Sequence, residues 1–430
     1  MSGMSRREFG RLAAGVGALG LSGAAACSAQ RSSQPPEQTE TANPGLDART
    51  RPIRLTQAQL DRIIGNQANT LLDNLRAKTP GVNYALAVAF AYPNHQFNPY
   101  YMYGTVADQG PPTPRTIYAI GSITKTFTAA MFANGVVTRP DCFDWDASLS
   151  RYLNQYLGGN GDLSATMQKI TPRMLAQHTS ALPRESLGPQ DGVGLFETSP
   201  SAPPPDLLNF WRTHNGPQPG SCWRYSDMGF ITLGFTTVSA YGCAAGASPG
   251  GPPGQAYANL LQQQITGPLN MPDTMTMVPN GAPLAPAFPN GGPQVSSSGA
   301  SDIKSSATDM HTWLLTNLTA ANQSSPLMKA LASTTHYTPL SVNMCGESQR
   351  GPANMGLAWD VKPGQPPIVW KNGLTSLGGC SCWIGMTMPG PTQQPLGIAV
   401  LLNGYWQKGQ PNIVADDAGF AMLRQISSAI

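Results

Sequence analysis

Ser122 and Lys125 stand three residues apart in YAIGSITKTFTAAMF, residues 118–132, a run that is otherwise small and apolar. In a helix this spacing places both side chains on one face. Serine is a weak nucleophile at its own pKa and needs a partner to take its proton. A lysine stripped of water has a lowered pKa and can do this, or can hold a neighbouring anion. A helix N-terminus adds backbone N–H groups for a developing oxyanion. S-x-x-K also arises by chance on ordinary exposed helices. Here Gly121 precedes the pair and Phe127, Ala129, Ala130 and Met131 follow it, which argues for a buried amine beside a hydroxyl.

Two further segments carry reactive side chains. In PGSCWRYSDMGFITLG, residues 219–234, Tyr225 ends a Pro-Gly loop just before an apolar helix start. A phenol there acts as a base if a cation lowers its pKa; otherwise it is a packed aromatic with its hydroxyl tied to the backbone. In WKNGLTSLGGCSCWIGM, residues 370–386, Lys371, Asn372 and Gly373 open a strand. They leave a cation and a free backbone edge facing a cleft, and such an edge can bind an extended, peptide-like substrate. The plainer reading is a turn with a solvated lysine.

The elements that must position these side chains follow from periodicity. Leu60, Ile63, Ile64, Ala68, Leu71 and Leu75 recur at helical spacing between Gln57 and Lys78. Tyr84–Tyr92 and Tyr100–Gly104 read as paired strands, followed by the helix of Ser122 and Lys125. The middle of the chain mixes helical patches with loops such as SPSAPPPD and ASPGGPPGQ. Strands return at Pro367–Lys371, Ser381–Met388 and Gly397–Asn403, and Ile413, Phe420, Leu423, Ile426 and Ile430 suggest a last helix. Strands at both ends around a helix-rich middle predict an α+β fold in which the two ends share one antiparallel sheet. The expected divisions are 1–26, 27–55, 56–140 and 296–430 for the two parts of the α/β domain, and 141–295 for a mostly helical lobe between them.

Composition narrows the class. The 430 residues suffice for a large core, and 46 Gly and 40 Pro indicate many turns and long loops. Arg6, Arg7 and Arg11 against Glu8 give residues 1–26 a charge of +2, so only +1 of the net +3 remains for the body. A near-neutral body without basic runs argues against nucleic acid as a partner. SRREFGRL followed by the Gly/Ala-rich stretch Leu12–Ala26 resembles a twin-arginine export signal. Ala24-Ala25-Ala26-Cys27 fits either a soluble cleavage product or a lipid anchor on Cys27, and residues 28–55 read as a disordered tether. An exported chain keeps disulfides. Cys142, Cys222, Cys243, Cys345, Cys380 and Cys382 are therefore candidates, with 15 possible pairings. Cys380 and Cys382 point to one face of a strand, towards separate partners. With no His-rich segment nearby they are not read as a metal site, and no metal or cofactor is expected.

Taken together and in this order, Ser-x-x-Lys, Tyr-Ser-x and Lys-x-Gly resemble the class C β-lactamase family and its penicillin-binding relatives, the DD-peptidases and esterases of the same fold. ITPRMLAQHTSALP (170–183) resembles the family's ITxRxLLxHTSGLP, with Ala181 where glycine is usual. ITGPLNMPDTM (265–275) and SSATDMHTWL (305–314) resemble its PLGMxDT and STAxDMxxWL segments. The resemblance spans roughly residues 58–430. It implies a β-lactamase/transpeptidase-like fold: an antiparallel sheet flanked by helices, with a mostly helical lobe. It implies Ser122 as nucleophile, with Lys125 and Tyr225 sharing the base work. The backbone N–H groups of Ser122 and Leu374 would form the oxyanion hole, and Lys371 would steer a substrate carboxylate and keep Tyr225 acidic. Gly373 and Asn372, the latter where Thr is common, would line the substrate. His178 would be a structural core residue.

One departure stands out. Asp227 replaces the usual Asn, cannot donate a hydrogen bond, favours a charged Lys125 and so shifts the proton-accepting role to Tyr225, and would repel acidic substrates. The implied activity is an exported, periplasmic serine hydrolase acting on peptidoglycan peptides or β-lactams. The alternatives are an esterase of small acyl esters and a non-catalytic muropeptide-binding lipoprotein.

Overall fold

The computed structural model describes residues 55–106, 109–158, 162–184, 205–245, 253–278, 285, 299–349, 351–375, 380–388, 394–403 and 415–430. The export signal, Cys27 and the expected tether, up to the residue before Leu55, lie outside the described residues.

Helix α1 (Gln57–Lys78) begins at a capping box in which the Thr56 side chain accepts from the Gln59 N–H and Gln59 reaches back to the Thr56 N–H. It buries Leu60, Ile64, Ala68, Leu71, Leu72 and Leu75. Strands β1 (Ala85–Ala91) and β2 (Tyr100–Gly104) form an antiparallel pair. After the short β3 (Tyr118–Ala119), a single 3-10 turn, Gly121–Ile123, runs directly into α2 (Thr124–Thr138). The middle of the chain supplies α3 (Ser150–Leu157), α4 (Pro172–Ala176), α5 (Pro205–Thr213), the short β4 (Cys222–Trp223), α6 (Asp227–Ala245) and α7 (Pro253–Leu261). Then follow β5 (Lys304–Ser305), α8 (Ala307–Thr319) and α9 (Pro326–Thr335). The chain returns to strands with β6 (Thr338–Pro339), β7 (Asn343–Met344), β8 (Asn354–Met355), β9 (Asp360–Lys362), β10 (Ile368–Thr375), β11 (Cys380–Thr387) and β12 (Gly397–Asn403), and closes with α10 (Ala415–Ala429).

The eight-stranded sheet has the order β2-β1-β12-β11-β10-β9-β8-β6, so strands from both ends of the chain share it. Its central pairings are antiparallel, with Leu86 opposite Leu402 and Lys371 opposite Ile384. Side chains alternate across the pleat. In β1, Leu86, Val88 and Phe90 join α1 and α10 in one core, while Ala85, Ala87, Ala89 and Ala91 face the other, where α8 packs. Small residues on that face let the helix come close to the sheet.

Helix α2 is buried almost all round, as expected for a helix enclosed on every side. Phe127 and Met131 pack into the core beneath the sheet, and Phe127 stacks on Trp313 at 4.1 Å. Ala129, Phe132 and Ala133 pack into the helical lobe with Phe143, Tyr152 and Phe230. The N-terminus of α2 therefore lies where the sheet meets the lobe.

Two details correct the sequence reading. Strand β10 does not end at Lys371 but runs through Asn372 and Gly373 to Thr375, so the Lys-Asn-Gly segment lies within a strand and not at its start. The cysteine framework resolves into two bridges, Cys142–Cys243 and Cys222–Cys345. Cys380 and Cys382 are instead packed in the core on β11, where the Cys382 thiol donates to the Ala119 carbonyl.

Candidate active site

Ser122 sits in the 3-10 turn that leads into α2, and Lys125 lies one turn on. Gly121 has φ +51°, in the left-handed region. A Cβ there would stand 2.8 Å from the Leu374 nitrogen, and a Cβ on Gly373 would stand 1.8 Å from the Ile120 carbonyl oxygen. Two glycines thus allow the backbone of β10 to lie against the turn that carries Ser122. This brings Leu374 beside Gly121 and Ser122, the neighbourhood in which two backbone donors would have to face an oxyanion. The pairing of β10 with β9 stops at Trp370, so among the described residues the stretch from Lys371 to Thr375 has no ladder partner on that side.

The Lys125 ammonium is completely buried and touches three groups. Its Nζ lies 2.9 Å from Ser122 Oγ, 2.5 Å from Asp227 Oδ1 and 2.9 Å from the Ala300 carbonyl oxygen. The carboxylate and the carbonyl can only accept, so they take two N–H bonds. The third direction of the nitrogen faces Ser122 and can hold either a proton or a lone pair. Burial lowers the pKa of Lys125, and Asp227 pulls in the opposite direction without reversing the shift.

Tyr225 donates from Oη to Ser122 Oγ at 2.6 Å, and its ring has Lys371 Nζ 4.8 Å and Lys125 Nζ 5.1 Å from its centroid. Its pKa is nevertheless raised above the ordinary phenol value. Burial raises it most and Asp227 adds to this, outweighing the opposite pull of Lys371 and of the Ser122 hydrogen bond. The expectation that neighbouring cations keep Tyr225 acidic is therefore corrected: burial and Asp227 keep its phenol protonated.

The loop carrying Tyr225 is stitched in place from several sides. Ser226 Oγ accepts from the Gly229 N–H at 2.8 Å at the start of α6 and donates to the Pro183 carbonyl at 2.6 Å. The Ser226 N–H donates to His178 Nδ1 at 3.1 Å, and the His178 ring lies 4.5 Å from that of Tyr225. His178 is fully buried, and burial, with Lys371 and Lys125 adding to it, holds its pKa well below the ordinary imidazole value. It is a neutral core residue that fixes the tyrosine loop. The Asp227 N–H donates to the Arg184 carbonyl at 2.9 Å. Just upstream, Cys222 is bridged to Cys345, and β4 pairs in parallel with β7.

Lys371 and Asn372 part company. Lys371 faces the nucleophile side of β10, is 1% exposed and pairs with Asp360 Oδ2 at 2.8 Å. Burial alone would lower its pKa, but the attraction of Asp360 raises it, so it stays a cation. Asn372 points to the opposite face, as strand alternation requires, and donates to Asp416 of α10 at 2.9 Å. Ser122, Lys125, Tyr225, Asp227 and Lys371 converge, whereas the Asn372 side chain does not join them.

Sequence reasoning missed Asp360 and the Ala300 carbonyl. Asp360 had a faint signal, a single carboxylate in the apolar LAWDV. The Ala300 carbonyl had none, since any residue supplies one.

The family model described as Beta-lactamase matches residues 69–409. A β-lactamase of Providencia stuartii is 29% identical over 189 residues, covering 43% of this chain and 41% of that protein. The alignment thus spans about two-fifths of that relative's length. The family match runs from α1 past β12 and includes every residue that converges on Ser122. The chain belongs to the beta-lactamase family.

Proposed function

We propose that this protein is a serine hydrolase working through an acyl-enzyme on Ser122. The observation that carries this reading is that Ser122 Oγ has a buried amine at 2.9 Å and a neutral phenol at 2.6 Å. Ser122 Oγ attacks the substrate carbonyl as Lys125 takes its proton. The resulting oxyanion sits between the turn of Ser122 and the backbone of Leu374. The bond to the leaving group then breaks, and Tyr225 protonates the departing atom, with Lys125 returning the proton to the tyrosine. Water attacks the acyl-enzyme by the reverse sequence, releasing the acid and restoring Ser122. Lys371, kept cationic by Asp360, acts on the Tyr225 side of the site.

The acyl donors in question are those the family resemblance brings: β-lactams, peptidoglycan peptides and short acyl esters. The hydrogen bonds that join the amine and the phenol to the Ser122 hydroxyl favour turnover over a binding protein without it. The two disulfides suit an oxidising compartment, which supports export to the periplasm.

The test is intact mass after adding benzylpenicillin or a fluorophosphonate, with Ser122→Ala alongside. An adduct on the wild type alone supports the reading. Turnover of ester or β-lactam by Ser122→Ala would sink it.

A further inference from the structure

The two lysines of the site are each committed to a carboxylate of the chain itself. Lys371 would have to meet a substrate carboxylate, yet it is 1% exposed and already bound to Asp360, which is itself only 17% exposed. Lys125 is bound to Asp227, whose side chain is 37% exposed and so opens toward solvent beside Ser122. Within the site two lysine side chains therefore face two carboxylates. The carboxylate nearest the nucleophile that solvent can reach is Asp227. An incoming anion would meet its repulsion, and to gain Lys371 it would have to displace Asp360 from a buried pair. Breaking such a pair is costly, since it leaves a charge uncompensated away from water. Another cation stands at the rim, the exposed Arg184, whose guanidinium lies 5.9 Å from the Tyr225 ring centroid.

Resting on the acyl-enzyme reading, we propose that this site selects acyl donors with no carboxylate on the leaving group, and that Asp360 and Asp227 set this selectivity. Asp360 is a positioning residue: it acts by occupying Lys371. Asp227 acts by its own charge and by being unable to donate a hydrogen bond to a substrate carbonyl. Neutral esters and amides then reach Ser122 without disturbing either pair. Carboxylate-bearing β-lactams and peptides ending in a free carboxylate are disfavoured.

The test uses a matched pair of aryl phenylacetates, with 3-hydroxybenzoic acid or its methyl ester as leaving group. kcat and KM are measured for the full chain, Asp360→Asn, Asp227→Asn and Arg184→Gln, with far-UV circular dichroism and melting as fold controls. The wild type is expected to prefer the methyl ester by at least tenfold in kcat/KM. Asp360→Asn is expected to narrow that preference about tenfold, chiefly through a lower KM for the anion. Asp227→Asn should narrow it independently if the first variant does not fold. A wild type that favours the anionic ester overturns the proposal, and loss of that preference in Arg184→Gln would identify the rim arginine as the group that reads the carboxylate. A neutral preference unchanged in the folded variants also overturns it. Fluorophosphonate labelling of Ser122 is read on the same samples. Absence of labelling together with absence of turnover overturns the acyl-enzyme reading and this one with it, whereas labelling with an anionic preference overturns this one alone.

Discussion

Lys125 has two acceptor-only partners and one direction left for Ser122, so its protonation state decides whether the serine is activated. Asp227 is one of the influences that raise the lysine's pKa, while burial lowers it. As a base, the lysine must be neutral, so kcat/KM for a neutral ester should rise with pH up to a plateau. Replacing Asp227 with Asn removes the raising influence. The rising limb should then move to lower pH, measured as kcat/KM from pH 5 to 10, and a shift to higher pH would contradict the assignment. A second residue-scale outcome concerns Ala181, which sits at φ +61° where the related pattern has glycine. A Cβ in the left-handed region costs roughly 1–2 kcal/mol, and glycine gives back part of this through unfolded-state entropy. Ala181→Gly should therefore stabilise the fold by up to about 1 kcal/mol, read from urea denaturation. At this scale Ser122, Lys125 and Tyr225 were legible because their side-chain chemistry and order are local facts of the sequence. Asp360 was not, because an ion pair between neighbouring strands is decided by register. The direction of the Tyr225 shift was not either, because it depends on how much water burial removes.

Strand β10 reaches the nucleophile turn only because Gly373 has no side chain where the Ile120 carbonyl approaches. Gly373→Ala must push β10 away from the turn. A displacement of about 1 Å at a catalytic site costs on the order of 100-fold in rate. The expected outcome is that loss in the rate of fluorophosphonate labelling of Ser122, with the circular dichroism spectrum retained. The sheet itself was readable from alternation: β1, β2 and β12 fall within a residue of their expected bounds, and α1 matches Gln57–Lys78. The path of β10 was not. Lys, Asn and Gly are poor strand formers and read as a strand's start, whereas pairing with the whole of β11 holds them extended within one.

Over the whole molecule, buried carboxylates set how stability follows pH. Asp309 is buried at the start of α8, where its Oδ2 accepts from the Asp273 N–H and the Thr274 hydroxyl, both at 2.8 Å. Burial pushes its pKa up to about 6, and the same holds for Asp416 beneath Asn372. A carboxyl group whose folded pKa lies above its unfolded one favours the fold while protonated. Its contribution is fully present below about pH 4 and is lost as pH rises through about 6. Asp309→Asn should flatten the fall in stability between pH 4 and 6.5 by roughly 2 kcal/mol, measured by urea unfolding at a series of pH values. A steeper fall in the variant would reverse the sign of the argument. The placement of β12 between β1 and β11 has a consequence for synthesis. Leu86 waits for Leu402 before its strand has a neighbour on that side. A nascent chain stopped short of Gly397 would already contain Ser122, Lys125, Tyr225 and Lys371. Its sheet would be split into two parts with open edges at β1 and β11, each a template for pairing with another chain. Activity would then appear late and abruptly, with the last strand, and unfinished chains would be clients for chaperones or seeds of aggregation.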